Sequence, residues 1–334
     1  MAEPIFILGI TGRSGTNFLR NLLCLHPECA PVTLPEDHLL AHGQMLVRYA
    51  AAVRSHWDGR APGAGEALTA SLAEGLLSFL RLQAEPGRRP VTKTPSVHNL
   101  GLFFRLFPQA HLLILVRDGR AVAESSARSF EAWSRERMAR QWARGAREIL
   151  RFLADPQSAG RRYLVVRYED LHGQTETELR RILGFLGLDA ERYDFQAAAR
   201  LPVVGSSSLR GGREDVHWEP LEKTPEFDPI GRFEHWTRAM HERFNWIAGD
   251  LLEPLGYVPV SDPGRRPLWA AWNLVQDALG WGRARLRRIR RRPEGGAGGA
   301  PRGPAAAFSG ASAGRSARPC SRGPATPTPG GGLP

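Results

Sequence analysis

Residues 12–17, Gly-Arg-Ser-Gly-Thr-Asn, put one guanidinium, two hydroxyls and two glycines within six positions. Such a stretch binds an oxyanion when its backbone N–H groups converge, and its flanks supply the elements that make them converge. Ile5–Leu8 is an apolar run that reads as a buried strand. From Thr16 on, Phe18, Leu19, Leu22 and Leu23 recur at helical spacing. A strand, a glycine turn and a helix N-terminus aim N–H groups and the positive helix end at one point. The expected ligand is a phosphate-like group.

A nucleotide-triphosphate loop reads G-x-x-x-x-G-K-[ST], with its lysine on the outer phosphates. Laid on that pattern from Gly9, the chain has Ser14 at the last glycine and Gly15 at the lysine, so Arg13 is the loop's cation. A second group of the same kind follows the apolar strand His111–Val116. Arg117 stands at its carboxyl end and Ser125 about two turns into the next helix. A guanidinium fork with a hydroxyl suits a second phosphate. The plainer alternative is an Arg117–Asp118 ion pair.

The elements that must position these groups alternate along the chain. Helices are expected near 37–56, 66–84, 97–107, from Arg120, and over 131–154, 174–186, 190–199 and 230–255. Tyr163–Arg167 is a third strand. Apolar strands alternating with helices imply an α/β fold: a central parallel sheet flanked by helices in three layers, with ligands beyond the strands' carboxyl ends. That edge would gather Gly12–Thr16 and Arg117.

The 334 residues carry a formal charge of +11, unevenly spread. From Leu268 onward there are eleven arginines against Asp277 and Glu294, so the globular part is near neutral. The expected division is a domain over 1–262, a basic amphipathic helix over 263–292, and a disordered Gly/Pro/Ala/Arg-rich tail over 293–334. Two readings are open for this helix: packing on the domain with its arginines solvated, or peripheral contact with an anionic membrane through 268–292. Nucleic acid is not expected, because the charge sits on one appendage without a recognised module. Cys24, Cys29 and Cys320 form no C-x-x-C pair or even framework, which suits a reducing compartment and no zinc. The first strand begins close to Met1, leaving no room for a signal peptide, and no apolar run reaches membrane-spanning length. The expected location is cytoplasmic, peripheral at the inner membrane surface.

Gly12–Thr16, Arg117 with Ser125 eight residues on, and Arg167-Tyr-Glu-Asp-Leu171 resemble the motifs of the sulfotransferase family. The stretch from Phe233-Glu-His-Trp236 to Leu255-Gly-Tyr257 is similar to that family's C-terminal helix. The resemblance covers residues 4–258 and implies a P-loop-like fold related to nucleotide kinases. The implied donor is 3′-phosphoadenosine 5′-phosphosulfate (PAPS), the product PAP, with no metal. Carried onto this chain, Arg13, Ser14, Gly15, Thr16 and Asn17 would hold the 5′-phosphosulfate. Arg117 and Ser125 would hold the 3′-phosphate. A later family loop also touches that phosphate, and Ser206–Arg213 is its candidate, with Arg210 or Arg213 as the cation. The common family lysine is Arg13 here, as in the tyrosine-directed and several bacterial branches. Arginine keeps the charge but does not donate its proton, so it acts as an electrostatic clamp.

Glu36 stands where the carbohydrate and tyrosine branches have a glutamate base, about one residue out of register, with helix capping as the alternative for this stretch. Asp37 would cap a helix starting there. His38 and Lys93 resemble site residues of the heparan-modifying enzymes; an ordinary surface or packed histidine is the alternative for His38. The implied reaction is an in-line transfer of a sulfuryl group from PAPS to a hydroxyl of a carbohydrate, lipid or small metabolite. Glu36 would be the base, and Arg13 and Lys93 would stabilise the charge. Two rivals remain at this point: a P-loop kinase-like phosphotransferase, and a non-catalytic nucleotide-binding protein at a membrane. The kinase would need a loop lysine and an acid after the second strand, where Val116 is instead followed by Arg117.

Overall fold

The computed structural model of the chain describes residues 3–290, apart from 58, 131–132, 203, 205, 208–215, 218–219, 221 and 223–226. Five strands, β1 (Ile5–Gly9), β2 (Cys29–Pro31), β3 (Arg89–Thr94), β4 (His111–Val116) and β5 (Tyr163–Arg167), form one sheet in the order β2-β3-β1-β4-β5. Every pairing is parallel. The helices are α1 (Thr16–Leu23), α2 (Gly43–Arg54), α3 (Ala64–Leu82), α4 (Phe103–Leu106), α5 (Gly119–Ser129) and α6 (Arg135–Ala154). They continue as α7 (Tyr168–Gly173), α8 (Thr175–Leu186), α9 (Phe195–Ala199), α10 (Arg238–Ala248) and α11 (Arg266–Arg290). A two-residue antiparallel ladder joins β6 (Ser206–Ser207) and β7 (Val216–His217).

Side chains of a strand alternate faces, so a strand apolar throughout feeds two cores. In β1, Phe6 and Leu8 enter the core with Phe103, Trp142 and Phe244, whereas Ile5 and Ile7 enter the core with Leu19, Leu22 and Leu183. In β4, Leu112, Ile114 and Val116 take the first side, and Leu113 and Leu115 the second. These are the layers expected of a covered parallel sheet.

The structure redraws several expected elements. β2 and β3 were not foreseen as strands. β3 reads Arg-Pro-Val-Thr-Lys-Thr and yet is buried throughout. Its polar groups find partners: Arg89 Nε donates to the Glu3 carbonyl (2.8 Å) and Arg89 Nη1 to the Leu186 carbonyl (2.7 Å). The helix expected from residue 37 starts later, with a 3₁₀ turn at Leu40–His42 leading into α2. Asp37 therefore caps no helix there; its carboxylate accepts from the Leu39 N–H (2.9 Å) and the Thr92 hydroxyl (2.6 Å). The helix placed over 131–154 is α6 from Arg135, where the Ser134 hydroxyl caps the Arg137 N–H (3.2 Å). That placed over 97–107 is a 3₁₀ turn plus the short α4, and that over 230–255 shortens to α10 followed by 3₁₀ turns.

Met1–Gln276 forms one compact unit and residues from Asp277 on a second. The expected boundary at 262 falls in the loop before α11, and the start of α11 is tied to α10 by Arg243 Nη1 donating to Asn273 Oδ1 (3.1 Å). The disorder expected of residues 293–334 lies outside the described residues. No helix of the described residues is long and apolar enough to cross a membrane.

Candidate active site

The loop after β1 owes its shape to two backbone positions in the left-handed region, Arg13 at φ 68° and Gly15 at φ 96°. A Cβ on Gly15 would lie 2.4 Å from the Tyr168 ring, so only glycine fits there. Arg13 has no such freedom, and a non-glycine residue held at positive φ marks a strained, over-determined site. The Ser14 hydroxyl is spent on the loop itself, donating to the Thr11 carbonyl (2.6 Å) and accepting from the Thr11 N–H (3.2 Å). Ser14 thus contributes its backbone, not its hydroxyl. Gly15 is the N-cap of α1 with no side-chain cap, so the first-turn N–H groups, among them those of Thr16 and Asn17, face outward from the helix start.

Three arginines converge on this loop. Arg117 Nη1 donates to the Arg13 carbonyl (2.7 Å), Nη2 donates to the Pro229 carbonyl, and the guanidinium lies 4.4 Å from the centre of the Tyr168 ring. Arg13 Nε and Arg232 Nη1 both donate to the Ser125 hydroxyl at 3.1 Å. Burial, then the charges of Arg232 and Arg117, push Arg13 down to about 9. Among the described residues, Arg117 Nε and Thr11 Oγ1 are buried with no hydrogen-bond partner. Like charges crowded in a buried place around one hydroxyl are relieved by an anion.

Of the foreseen donor residues, Arg13, Arg117 and Ser125 do come together. The Arg117–Asp118 ion pair does not form: Asp118 is paired with Arg120 (2.7 Å), and its carboxylate caps α5 through the Arg120 N–H (2.8 Å). Arg210 and Arg213 lie outside the described residues. Sequence reasoning missed Arg232. Asp228 places it by accepting from the N–H groups of Ile230 (2.8 Å) and Gly231 (2.9 Å). The Asp-Pro-x-Gly turn signal at 228–231 was visible, but nothing in it pointed towards Ser125. Tyr168, the floor under both Gly15 and Arg117, was also missed as a site residue.

On the other side of β1, the register pairs Ile7 with Lys93 and Leu8 with Thr94. Lys93 therefore rides beside the strand that leads into the loop at 10–15. Lys93 Nζ lies 3.5 Å from Glu36 Oε1, and His38 Nε2 lies 3.0 Å from Glu36 Oε2. Lys93 is 5% exposed, Glu36 23% and His38 44%, a gradient running from core to solvent. Burial pulls the Lys93 ammonium below its ordinary range; Glu36 opposes that and Arg20 adds to it. His38 sits at φ 51°, held by its N–H donating to Thr94 Oγ1 (3.1 Å). The Asn99 amide pins the following turn through the carbonyls of Leu40 (3.3 Å) and Ala41 (2.9 Å). Glu36, His38 and Lys93 are thus assembled as one group, and neither Glu36 nor His38 caps a helix. Among the described residues no cluster of His, Cys, Asp and Glu is arranged to hold a metal ion.

The description "Sulfotransferase family" fits residues 4–192 of this chain. Protein-tyrosine sulfotransferase of Drosophila melanogaster is 29% identical over 306 residues, covering 82% of this chain and 55% of its own length. Protein-tyrosine sulfotransferase 1 of Danio rerio is 27% identical over 272 residues, covering 78% of this chain and 74% of the relative. Among solved structures, the sulfotransferase domain of the curacin biosynthetic pathway aligns with 78% of this chain and 99% of that domain, at 21% identity and a TM-score of 0.42. The chain thus spans little more than half the length of the Drosophila relative.

Proposed function

The chain belongs to the sulfotransferase family, and on that premise we propose that it transfers a sulfuryl group from PAPS to a hydroxyl, with Glu36 as the base. One observation carries the reading: Arg13, Arg117 and Arg232 gather around the loop after β1 and the Ser125 hydroxyl. The buried Arg117 Nε and Thr11 Oγ1, both lacking partners among the described residues, fit an anionic ligand there. PAPS would supply the sulfuryl group and a phosphate leaving group. Arg13 and the N–H groups of Gly15, Thr16 and Asn17 would hold the 5′ end, and Ser125 with Arg232 the 3′-phosphate. Arg117 positions: it ties the loop to residue 229 and sets its charge behind both. Lys93 neutralises charge gathering at the transferred group, as preorganised cations do in phosphoryl transfer. Glu36, oriented by Lys93 and His38, accepts the acceptor's proton as its oxygen attacks.

The acceptor expected from sequence was a carbohydrate, lipid or small metabolite; the relatives are named for protein tyrosine, and a phenol is the acceptor we favour. A phenol, ionising at about pH 10, surrenders its proton to a carboxylate far more readily than an aliphatic alcohol does. Turnover of a tyrosine peptide, absent in its Tyr→Phe version and exceeding that of any sugar alcohol, would support this choice; the reverse ranking removes it.

Calorimetry with PAP, adenosine 5′-phosphosulfate and ATP tests the donor. PAP should bind roughly a hundredfold more tightly than adenosine 5′-phosphosulfate, the worth of two charge-assisted contacts. Preference for magnesium-ATP would favour the kinase instead. Glu36→Gln should keep PAP binding while turnover falls by about two to four orders of magnitude. Undiminished turnover would move the base elsewhere, with His38 next in place.

A further inference from the structure

α11 has two unlike faces. Asn273 is buried, its amide donating to the Glu242 carbonyl (3.4 Å), which fixes that face on α10. Leu268, Leu274, Val275 and Leu279 are instead 70%, 59%, 57% and 50% exposed. Among the described residues, no other helix exposes four large apolar side chains. At about 100° per residue, positions 268, 275 and 279 fall within about 20° of a single line along the helix. Trp272, half-buried and 5.8 Å edge-on from Trp269, borders that line.

What covers such a line is indicated by charge. Arginine occupies positions 283, 285, 287, 288, 290, 291 and 292, and no acid lies between Asp277 and Glu294. Cations favour a helix C-terminus, but the macrodipole acts only within the last turn and does not call for seven of them. A nucleic acid has no use for a leucine–valine line, and an apolar protein groove has no use for seven guanidiniums. A bilayer rich in anionic lipid uses both: the apolar line enters the acyl boundary, tryptophan suits the headgroup level, and arginines reach phosphates.

We propose that α11 docks the chain on an anionic lipid surface, lying in its plane with Leu268, Val275 and Leu279 towards the acyl chains. This stands apart from the donor and acceptor assignments, since none of these residues belongs to that site.

The test is co-sedimentation of the full chain with vesicles of phosphatidylcholine alone, or with about a third phosphatidylserine, at physiological salt. Binding is expected only to the anionic vesicles. Val275→Glu with Leu279→Glu should reduce it at least tenfold while leaving PAP binding unchanged, which certifies the fold. A milder pair, Val275→Ser with Leu279→Ser, guards against misfolding and should reduce binding severalfold. Reversing Arg287 and Arg288 to Glu should also release the protein. No binding to anionic vesicles, binding indifferent to the Val275 and Leu279 changes, or tighter binding to single-stranded RNA at equal salt would each overturn the proposal.

Discussion

Glu124 and Ser125 are neighbours on α5, and each is the hub of a cluster of arginines, yet the clusters are built on opposite terms. The Glu124 carboxylate accepts from Arg135 Nε (2.5 Å), Arg128 Nε (2.7 Å) and Trp236 Nε1 (2.8 Å), with His235 Nε2 at 3.3 Å. Burial pushes its pKa up, but these donors outweigh burial and hold it at about 2. A carboxylate meets the guanidiniums there, and the product is stability. Ser125 brings only a neutral hydroxyl, and the charges weighing most on Arg13 are those of Arg232 and Arg117, both positive. A cluster built on a carboxylate fastens the fold; one that gathers like charge around a neutral hub is what the proposed donor site rests on. The residue numbers differ by one, and the roles differ entirely.

Breaking the Ser125 cluster should cost activity without costing the fold. Arg13→Ala is expected to lower kcat/KM roughly a thousandfold, about 4 kcal/mol of transition-state stabilisation. Its thermal midpoint should hold or rise, because burial and two like charges already oppose the native Arg13. Steady-state kinetics beside a calorimetric melt would check both, and a collapsed midpoint would erase the contrast.

Breaking the Glu124 cluster should do the opposite. Glu124→Gln is expected to lose roughly 3 kcal/mol of stability, with PAP affinity in the folded fraction unchanged. Because the folded pKa of Glu124 lies below its ordinary 4.5, at about 2, its contribution is complete above pH 4.5. It is lost as pH falls towards about 2, when the folded carboxylate takes up its proton. Denaturant titrations of the parent and of Glu124→Gln should therefore converge over that interval; parallel pH curves would contradict the assigned charge state.

Finer changes sharpen the same division. Arg232→Ala should weaken PAP about ten- to fiftyfold, the range of a charge-assisted hydrogen bond, and leave adenosine 5′-phosphosulfate unaffected. Equal loss for both ligands would place Arg232 at the 5′ end. Ser125→Ala should be mildest, about fivefold, since the neighbouring guanidiniums keep their hold on the phosphate when the hydroxyl is lost. PAP should also stabilise the fold through linkage, by about 2.7 kcal/mol at a hundredfold excess over Kd, and so raise the melting temperature; at the same PAP concentration the Arg232 variant should gain less.

Much of this site could be read along the chain because its signals are local. The strand, the glycine turn and the helix start are contiguous from Ile5 to Leu23, so their order alone announces an anion cradle. Arg117 and Ser125 were legible for the same reason, at the end of one apolar run and two turns into the next helix. β1, β4 and β5 were found because strands covered on both faces carry apolar runs, unbroken in Ile5–Leu8 and Leu112–Val116 and ending only at Arg167 in β5. β3 escaped because Arg89, Thr92, Lys93 and Thr94 are buried with polar partners from distant segments, Glu3, Leu186, Asp37, Glu36 and His38, which a composition-based reading scores as exposed.

The amino-acid order by itself determined the layered fold, the glycine turn after β1 and the placement of Arg117 and Ser125 after β4, since hydrophobic period and turn chemistry act over a few residues. Only the folded molecule decided that Arg232 reaches Ser125 from 107 positions away, that Ser14 turns its hydroxyl back on its own loop, and that Glu36, His38 and Lys93 share one corner. Those outcomes depend on which strands pair and where a turn ends. Distances across the sheet follow from packing, and no local propensity encodes them.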